Sequence, residues 1–199
     1  MTEKQKRLND TINLLVGKLT ELNHYLNEYK IIFKDDISSK QLLESTHSTF
    51  WNDLYWLYWN FLTIRICCLM EKAETYGNKN LSFYHLLELV SENGLTCESS
   101  ILKLVEDIGT KILPFKNVRK KAFAHYDLRI LLDKKSLNIL ELDDFEWILL
   151  QFSTIINLIS SELHGDTYLF GMKSLEGARR MMGILSKGLE YRNNLIKKI

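Results

Sequence analysis

Apolar side chains recur at steps of three and four residues near the start of the chain. The series is Leu8, Ile12, Leu15, Leu19, Leu22, Leu26 and Tyr29. Because an α-helix has 3.6 residues per turn, these positions form one stripe along one side of a helix. We therefore expect a first amphipathic helix over residues 5–33, with a break where Asp35, Asp36, Ser38 and Ser39 interrupt the pattern.

A longer apolar pattern follows over residues 41–75 and predicts a second helix, which we interpret as the central helix of the fold. We expect its core-facing positions to be Phe50, Leu54, Leu57, Phe61, Ile64, Cys68 and Leu69, with Trp51, Tyr55 and Trp59 widening the apolar face. Such an aromatic surface can stack on nucleic-acid bases, but aromatic residues at helical spacing more often form a core or a dimer interface.

Turn and capping residues divide the middle of the chain. Residues 76–80 predict a turn, and Ser82 is suited to be the N-cap of a short helix that ends near Asn93 and Gly94. Ser99 or Ser100 can begin the next helix. Pro114 lacks a backbone donor and clashes with the preceding turn, so we expect a kink or break there.

The last third of the chain predicts two further helices. Residues 128–144 lose helical periodicity, and Asp143 or Asp144 then begins a helix that ends at residues 164–166. Its core-facing positions are Phe145, Ile148, Leu149, Phe152, Ile156 and Ile159. A final helix over residues 174–189 carries the small residues Gly177, Ala178 and Gly183, which permit close packing.

Composition favours an all-α fold in a single domain covering residues 1–199. The chain has one proline and nine glycines, too few for the frequent turns of an all-β fold. No repeat, linker or low-complexity segment divides it. We expect one helical bundle with a long central helix.

The cysteines and the apolar segments bear on location. Three cysteines, Cys67, Cys68 and Cys97, have no paired CxxC spacing, so neither a disulfide framework nor a zinc site is indicated. The polar N-terminus does not resemble a signal peptide. Residues 50–70 are apolar, but Asn52, Asp53 and other polar residues interrupt them, so we interpret them as a core helix. We expect a cytoplasmic protein without a membrane segment.

Positive charge is concentrated in one part of an otherwise balanced chain. The formal net charge is only +1, yet residues 111–135 hold eight basic and two acidic residues. A charge run is often only a solvated helix face. This one ends in a histidine, within the sequence Asn-Val-Arg-Lys-Lys-Ala-Phe-Ala-His-Tyr-Asp over residues 117–127.

Arg119 and His125 in this run are the candidate catalytic residues. Arginine binds phosphate through a planar fork of donors, and histidine exchanges protons near neutral pH. The pair suggests phosphodiester chemistry without a metal. On an ideal helix the two residues lie about 120° apart and about 9 Å along the axis. The long arginine, a helix distortion or a partner subunit would have to bring both to one phosphate; otherwise His125 ends a helix and Arg119 is a surface residue.

Three segments together resemble the HEPN domains of the AbiU abortive-infection branch. Residues 61–71 with 81–87 look like the long second helix of that branch and the turn and helix after it. Residues 119–127 resemble its motif, an arginine and a histidine separated by five residues, with an aspartate shortly after. Residues 167–171 with 177–179 resemble its C-terminal ending. The similarity extends over nearly the whole chain.

The resemblance implies an all-α bundle, a two-fold dimer with two motifs at one cleft, and metal-independent RNA cleavage. Arg119 matches the motif arginine and His125 the motif histidine, with Lys120 where many HEPN domains have a small polar residue. In the branch paired with nucleotidyltransferase antitoxins, a tyrosine that can be adenylylated occupies the second position after the histidine. Here Asp127 stands there, beside Tyr126.

From these parts we expect a toxin or phage-defence endoribonuclease that acts as a homodimer on RNA, needs no cofactor and has a possible antitoxin partner. His125 would transfer the proton, Arg119 would stabilise the phosphoryl charge, and Asp127 could orient a histidine. The flanking cations Lys116, Lys120, Lys121 and Arg129 would hold the RNA backbone. The alternative is a helical module of the same fold that binds RNA or protein without catalysis.

The other histidines and charged residues are expected to have structural roles. His24 and His47 stand alone on helix surfaces, and no pair of histidines has zinc-site spacing. Arg65 and Glu71 are charges in the mostly apolar second helix. They line the cleft or pair with other charges, and we favour the pairing.

Overall fold

The computed structural model of the protein describes residues 1–33, 37–120, 141–170 and 176–196. In these ranges the chain forms seven α-helices and one short two-stranded antiparallel sheet, which confirms the all-α fold class. The helices are α1 (Glu3–Ile32), α2 (Ile37–Leu69), α3 (Phe83–Glu92), α4 (Glu98–Lys111), α5 (Leu113–Val118), α6 (Leu142–His164) and α7 (Glu176–Ile196). The strands are β1 (Glu74–Thr75) and β2 (Asn78–Lys79).

Helix α1 has the predicted apolar stripe. A capping box begins it, in which Thr2 Oγ1 accepts from the Gln5 N–H and Gln5 Oε1 accepts from the Thr2 N–H. The predicted core positions are all buried: Leu8, Ile12, Leu15, Leu19, Leu22, Leu26 and Tyr29. The stripe faces α3, α6 and α2, so α1 lies at the centre of the bundle.

Helix α2 differs from its predicted bounds at both ends. It begins at Ile37, so Ser38 and Ser39 lie inside the helix, and it ends at Leu69 instead of residue 75. Asp35 and Asp36 lie outside the described residues. His47 has non-helical backbone angles, φ −165° and ψ 91°, and its Nδ1 accepts from the Phe50 N–H at 3.2 Å. His47 therefore caps a second helical segment after a kink.

The buried face of α2 is also rotated from the predicted one. Of the predicted core positions Leu69 is buried, whereas Phe50, Leu57, Ile64 and Cys68 are exposed. The buried positions between residues 41 and 70 are Leu43, Trp51, Leu62, Thr63, Ile66, Cys67, Leu69 and Met70. Because apolar residues occupy most of the circumference of α2, its sequence pattern does not define a single buried side.

A tight β-hairpin follows α2. Tyr76 and Gly77 both have positive φ, +50° and +78°, as a type I′ turn requires. The predicted turn at residues 76–80 is thus the hairpin turn together with β2. Helix α2 has already ended at Leu69, and strand β1 occupies residues 74–75, where apolar periodicity predicts helix.

Most other predicted helix boundaries agree with the structure within one or two residues, but α7 ends at Ile196, seven residues beyond the predicted end at residue 189. Ser82 caps α3, with its Oγ accepting from the His85 N–H, and Asn93 and Gly94 end that helix. Helix α4 begins at Glu98, just before the predicted Ser99 or Ser100. Pro114 follows a break between α4 and α5. Helix α6 buries all six predicted positions.

Small residues of α7 permit close packing at one position. Ala178 is buried with Ile32, Leu43 and Trp51 where α7 crosses α1 and α2. A side chain at Gly183 would meet nothing within 4 Å, so the predicted close packing is absent there. None of the helices within the described ranges is long and apolar enough to cross a membrane.

Candidate functional site

The end of α5 carries the motif arginine to the end of α2. Arg119 directly follows α5, and its Nη1 lies 2.6 Å from Oε1 of Glu71. The two side chains are 31% and 39% exposed. Burial acts to lower the pKa of Arg119, but the hydrogen bond and charge of Glu71 outweigh it and raise that pKa above its ordinary value. Arg119 is therefore a fixed cation in a half-buried position.

A second cation from α5 binds the same end of α2. Lys116 Nζ donates to the backbone oxygen of Met70 at 3.1 Å. The last carbonyls of a helix lack intrahelical partners and carry a partial negative charge. Helix α2 has no basic residue in its own last turn. Lys116 and Arg119 thus supply from α5 the positive charge that the C-terminus of α2 lacks.

The Cys67 thiol beside this cluster is not activated. Burial raises the pKa of the Cys67 thiol to about 11, although the nearby charges of Arg119 and Lys116 act to lower it. Cys97 lies in another part of the fold, where burial and the Glu162 carboxylate raise its pKa to about 12. Thiols with raised pKa values are poor nucleophiles. Cys68 is the exposed cysteine of the three.

Lys120 is exposed on the helical turn that continues α5. The backbone at Arg119 and Lys120 has a π-helical form, and single π-turns within helices often occur at functional sites. A helix distortion is one of the three arrangements, beside the long arginine and a partner subunit, that would bring Arg119 and His125 to one phosphate. The other predicted site residues lie outside the described residues: Lys121, His125, Tyr126, Asp127 and Arg129.

The structure therefore places three of the eight predicted site residues, Lys116, Arg119 and Lys120, at one end of the bundle. It adds Glu71 as a direct partner of Arg119, and the backbone of Met70 as the partner of Lys116. Glu71 was partly recognisable from the sequence, since it is a charge in an apolar segment. That interpretation, a paired charge, is confirmed for Glu71.

His24, His85 and Arg65 have local structural contacts. His24 and His85 each pair with a glutamate one turn later, Glu28 at 3.5 Å and Glu88 at 3.4 Å. The Arg65 guanidinium lies over the Phe61 ring, 5.2 Å from its centre. Within the described ranges, no group of three or more His, Cys, Asp or Glu residues is arranged to hold a metal ion.

Comparison with known proteins identifies no relative. No protein-family model matches the chain, and no curated protein or solved structure shows significant similarity to it.

Proposed function

We propose that the protein is a metal-independent endoribonuclease of the HEPN type, acting in the cytoplasm as a toxin or phage-defence effector. The observation that carries the proposal is the placement of Arg119. Its guanidinium is fixed by Glu71, remains partly exposed, and stands beside two further cations, Lys116 and Lys120. A fixed cation of this kind stabilises charge that develops on phosphoryl oxygens.

In the proposed reaction, the 2′-hydroxyl of a ribose attacks the neighbouring phosphorus and the bond to the 5′-oxygen of the next nucleotide breaks. One group removes the proton from the 2′-hydroxyl, and another donates a proton to the leaving 5′-oxygen. The products are a 2′,3′-cyclic phosphate and a free 5′-hydroxyl. His125 serves as a proton-transfer group, and Arg119 stabilises the charge on the phosphate.

Glu71 positions Arg119 for this role. Its carboxylate occupies one nitrogen of the guanidinium, which has five N–H donors and so retains donors for a phosphate. An ion pair that fixes the arginine in advance lowers the entropy lost when substrate binds. Lys120 and the motif cations Lys121 and Arg129 add charge along the RNA backbone.

A homodimer supplies the second proton-transfer group, because one chain offers one motif histidine. Of the two interpretations of the aromatic surface from Trp51 to Trp59, core and dimer interface, the contacts favour the core, because Trp51 is buried within the chain and Trp59 Nε1 donates to the Tyr29 hydroxyl. The exposed large apolar side chains of α2 are instead Phe50, Trp56, Leu57 and Ile64, and three of them, Phe50, Leu57 and Ile64, are spaced by seven residues. That spacing suits a helix pair, so we assign the dimer contact to this stripe.

A non-catalytic binding module of the same fold is the second candidate. The observation that favours it is that Lys116 and Arg119 both contact the end of α2. A structural role in joining α5 to α2 is enough to explain why these two cations are present. In that case the exposed Lys120 and the apolar stripe on α2 would bind RNA or a partner such as an antitoxin.

Cleavage of single-stranded RNA by purified protein in a metal chelator separates the two candidates. The endoribonuclease releases fragments with 2′,3′-cyclic phosphate and 5′-hydroxyl ends, and it leaves 2′-O-methyl RNA of the same sequence intact because the nucleophile is blocked. A binding module retains RNA without producing fragments. Cleavage that requires added metal would contradict the proposal.

A further inference from the structure

A small pocket opens between α1 and α2, close to the candidate site. Its volume is about 170 Å³, below the range of about 300–1,000 Å³ for sites that enclose drug-sized ligands. It therefore has room for a small ring system. The lining residues are Lys18, Glu21, Leu22, Arg65, Cys68, Leu69 and Leu81.

The chemistry of the lining combines apolar walls with cations. Leu22, Leu69 and Leu81 supply aliphatic contacts for a flat ring. Lys18 forms an ion pair with Glu21 at 3.3 Å. Arg65 contacts the face of Phe61 and, among the described residues, has no carboxylate partner. Its guanidinium therefore keeps its donors for an anion beside the pocket.

Cys68 connects the pocket to Arg119. The Cys68 side chain lines the pocket, and its backbone oxygen accepts from the N–H of Glu71, the partner of Arg119, at 3.2 Å. Arg65 lies three residues before Cys68, about 4.5 Å along the helix axis. The pocket and the Arg119–Glu71 pair are thus neighbours along the last turns of α2.

We infer that this pocket binds one base of single-stranded RNA while Arg65 contacts an adjoining phosphate. The inference rests on the proposed function, in which an RNA strand passes over Arg119. An apolar slot beside the Arg65 guanidinium suits a nucleotide, because a base presents a flat apolar face and each linkage carries one negative charge. The contact adds a second binding point beside the phosphate held at Arg119.

Cys68 provides a direct reporter of occupancy. We would measure its alkylation by iodoacetamide, with Cys68→Ser identifying its signal because Cys67 is buried and the pKa of Cys97 is raised. The probe is a 2′-O-methyl tetranucleotide, which cannot be cleaved. At ten times its dissociation constant, about one site in eleven is free, so alkylation becomes about tenfold slower.

An abasic tetranucleotide with the same phosphates separates base binding from charge. Protection by the complete probe, with little or none by the abasic one when both occupy the protein equally, supports the base pocket. Equal protection by both probes, or protection by neither, overturns it. RNA cleavage is measured separately: protection without cleavage overturns the proposed function alone, and cleavage without protection overturns the pocket alone.

Arg65→Gln tests the phosphate contact. Because each phosphate neutralised on a single strand contributes about 0.7 to the slope of log affinity against log salt, the variant reduces that slope by about 0.7. The matched control is Arg7→Gln, an exposed arginine near the other end of α1 that pairs with Glu92. A slope unchanged by Arg65→Gln, or reduced equally by both variants, overturns the role of Arg65.

Discussion

Arg119 and Glu71 join the end of α5 to the turn after α2, with 2.6 Å between Nη1 and Oε1. The contact links residues 48 positions apart in the chain. It fixes the cation on which the proposed chemistry depends. Substitution of Glu71 therefore tests whether the activity of Arg119 depends on the position that Glu71 gives it.

Glu71→Gln removes the charge that positions Arg119 and keeps the shape of the side chain. We expect RNA cleavage to fall by about 10- to 100-fold, since a small misplacement of a catalytic group has an effect of that size. The loss of folding free energy should stay near 0–1 kcal/mol, because the pair is partly exposed. Single-turnover cleavage and thermal melting measure the two quantities.

Glu92→Gln is the matched control for this change. Glu92 is similarly exposed and pairs with Arg7, away from the candidate site. Its substitution should leave cleavage unchanged. Full activity of Glu71→Gln would show that Arg119 does not need Glu71.

The core prediction concerns the contact between α3 and α6. Phe83 and Phe152 stack with their ring centres 4.2 Å apart and their planes 3° from parallel, and both are fully buried. Phe152→Ala should lower the free energy of unfolding by about 3–5 kcal/mol, measured by urea denaturation. Leu150→Ala alters an exposed position of the same helix and should change it by less than about 0.5 kcal/mol. Equal effects of the two substitutions would place the core elsewhere.

Glu162 should make stability depend on pH. Its carboxylate accepts from the Thr96 N–H at 2.6 Å and the Cys97 N–H at 2.9 Å, which holds its pKa at about 2, well below the ordinary 4.5. The folded state therefore gains stability from the ionised carboxylate above pH 4.5, and this gain is lost as pH falls from 4.5 toward 2.

Glu162→Ala should accordingly lower the melting temperature at pH 7, with a difference from the wild type that shrinks as the pH is lowered. Glu190→Ala changes an exposed glutamate of α7 and should show no such trend. A difference that stays constant from pH 7 to pH 3 would contradict the role of the ionised carboxylate.

Leu57→Glu tests the assigned dimer face. Leu57 is 63% exposed and lies in the middle of the stripe on α2. If the stripe forms the contact, a charge there should weaken the dimer by at least about tenfold, since an unpaired buried charge is costly. Sedimentation velocity over a concentration series measures this change. Leu150→Glu, at a leucine 62% exposed on α6, should leave the dimer intact, and equal effects would move the interface away from α2.

The buried faces of helices with one apolar side were predictable from the sequence, and the buried face of α2 was not. The stripe of α1 and the six core positions of α6 each allow one burial pattern, so their predicted residues are buried as expected. Helix α2 has apolar residues on most sides, so partner helices determine which of them are buried. Phe50, Leu57 and Ile64 therefore remain exposed against expectation.

The candidate site was predictable only in part for a similar reason. The basic run identified Arg119, Lys116 and Lys120, because charge density is a local property of the sequence. Their partners, Glu71 and the Met70 carbonyl, come from a segment more than forty residues earlier and depend on how α5 crosses the end of α2. The local sequence pattern does not predict how α5 crosses the end of α2.

RNA cleavage by Arg119→Ala protein in a metal chelator tests the central claim most directly. We expect cleavage to fall by about 10²- to 10³-fold, as when a transition-state donor is removed, while helical content stays unchanged. Arg192→Ala, at an exposed arginine of α7, should retain full activity. The account predicts that fragments with 2′,3′-cyclic phosphate ends form at the full rate from the wild type and from Arg192→Ala, and far more slowly from Arg119→Ala; equal cleavage by Arg119→Ala would contradict it.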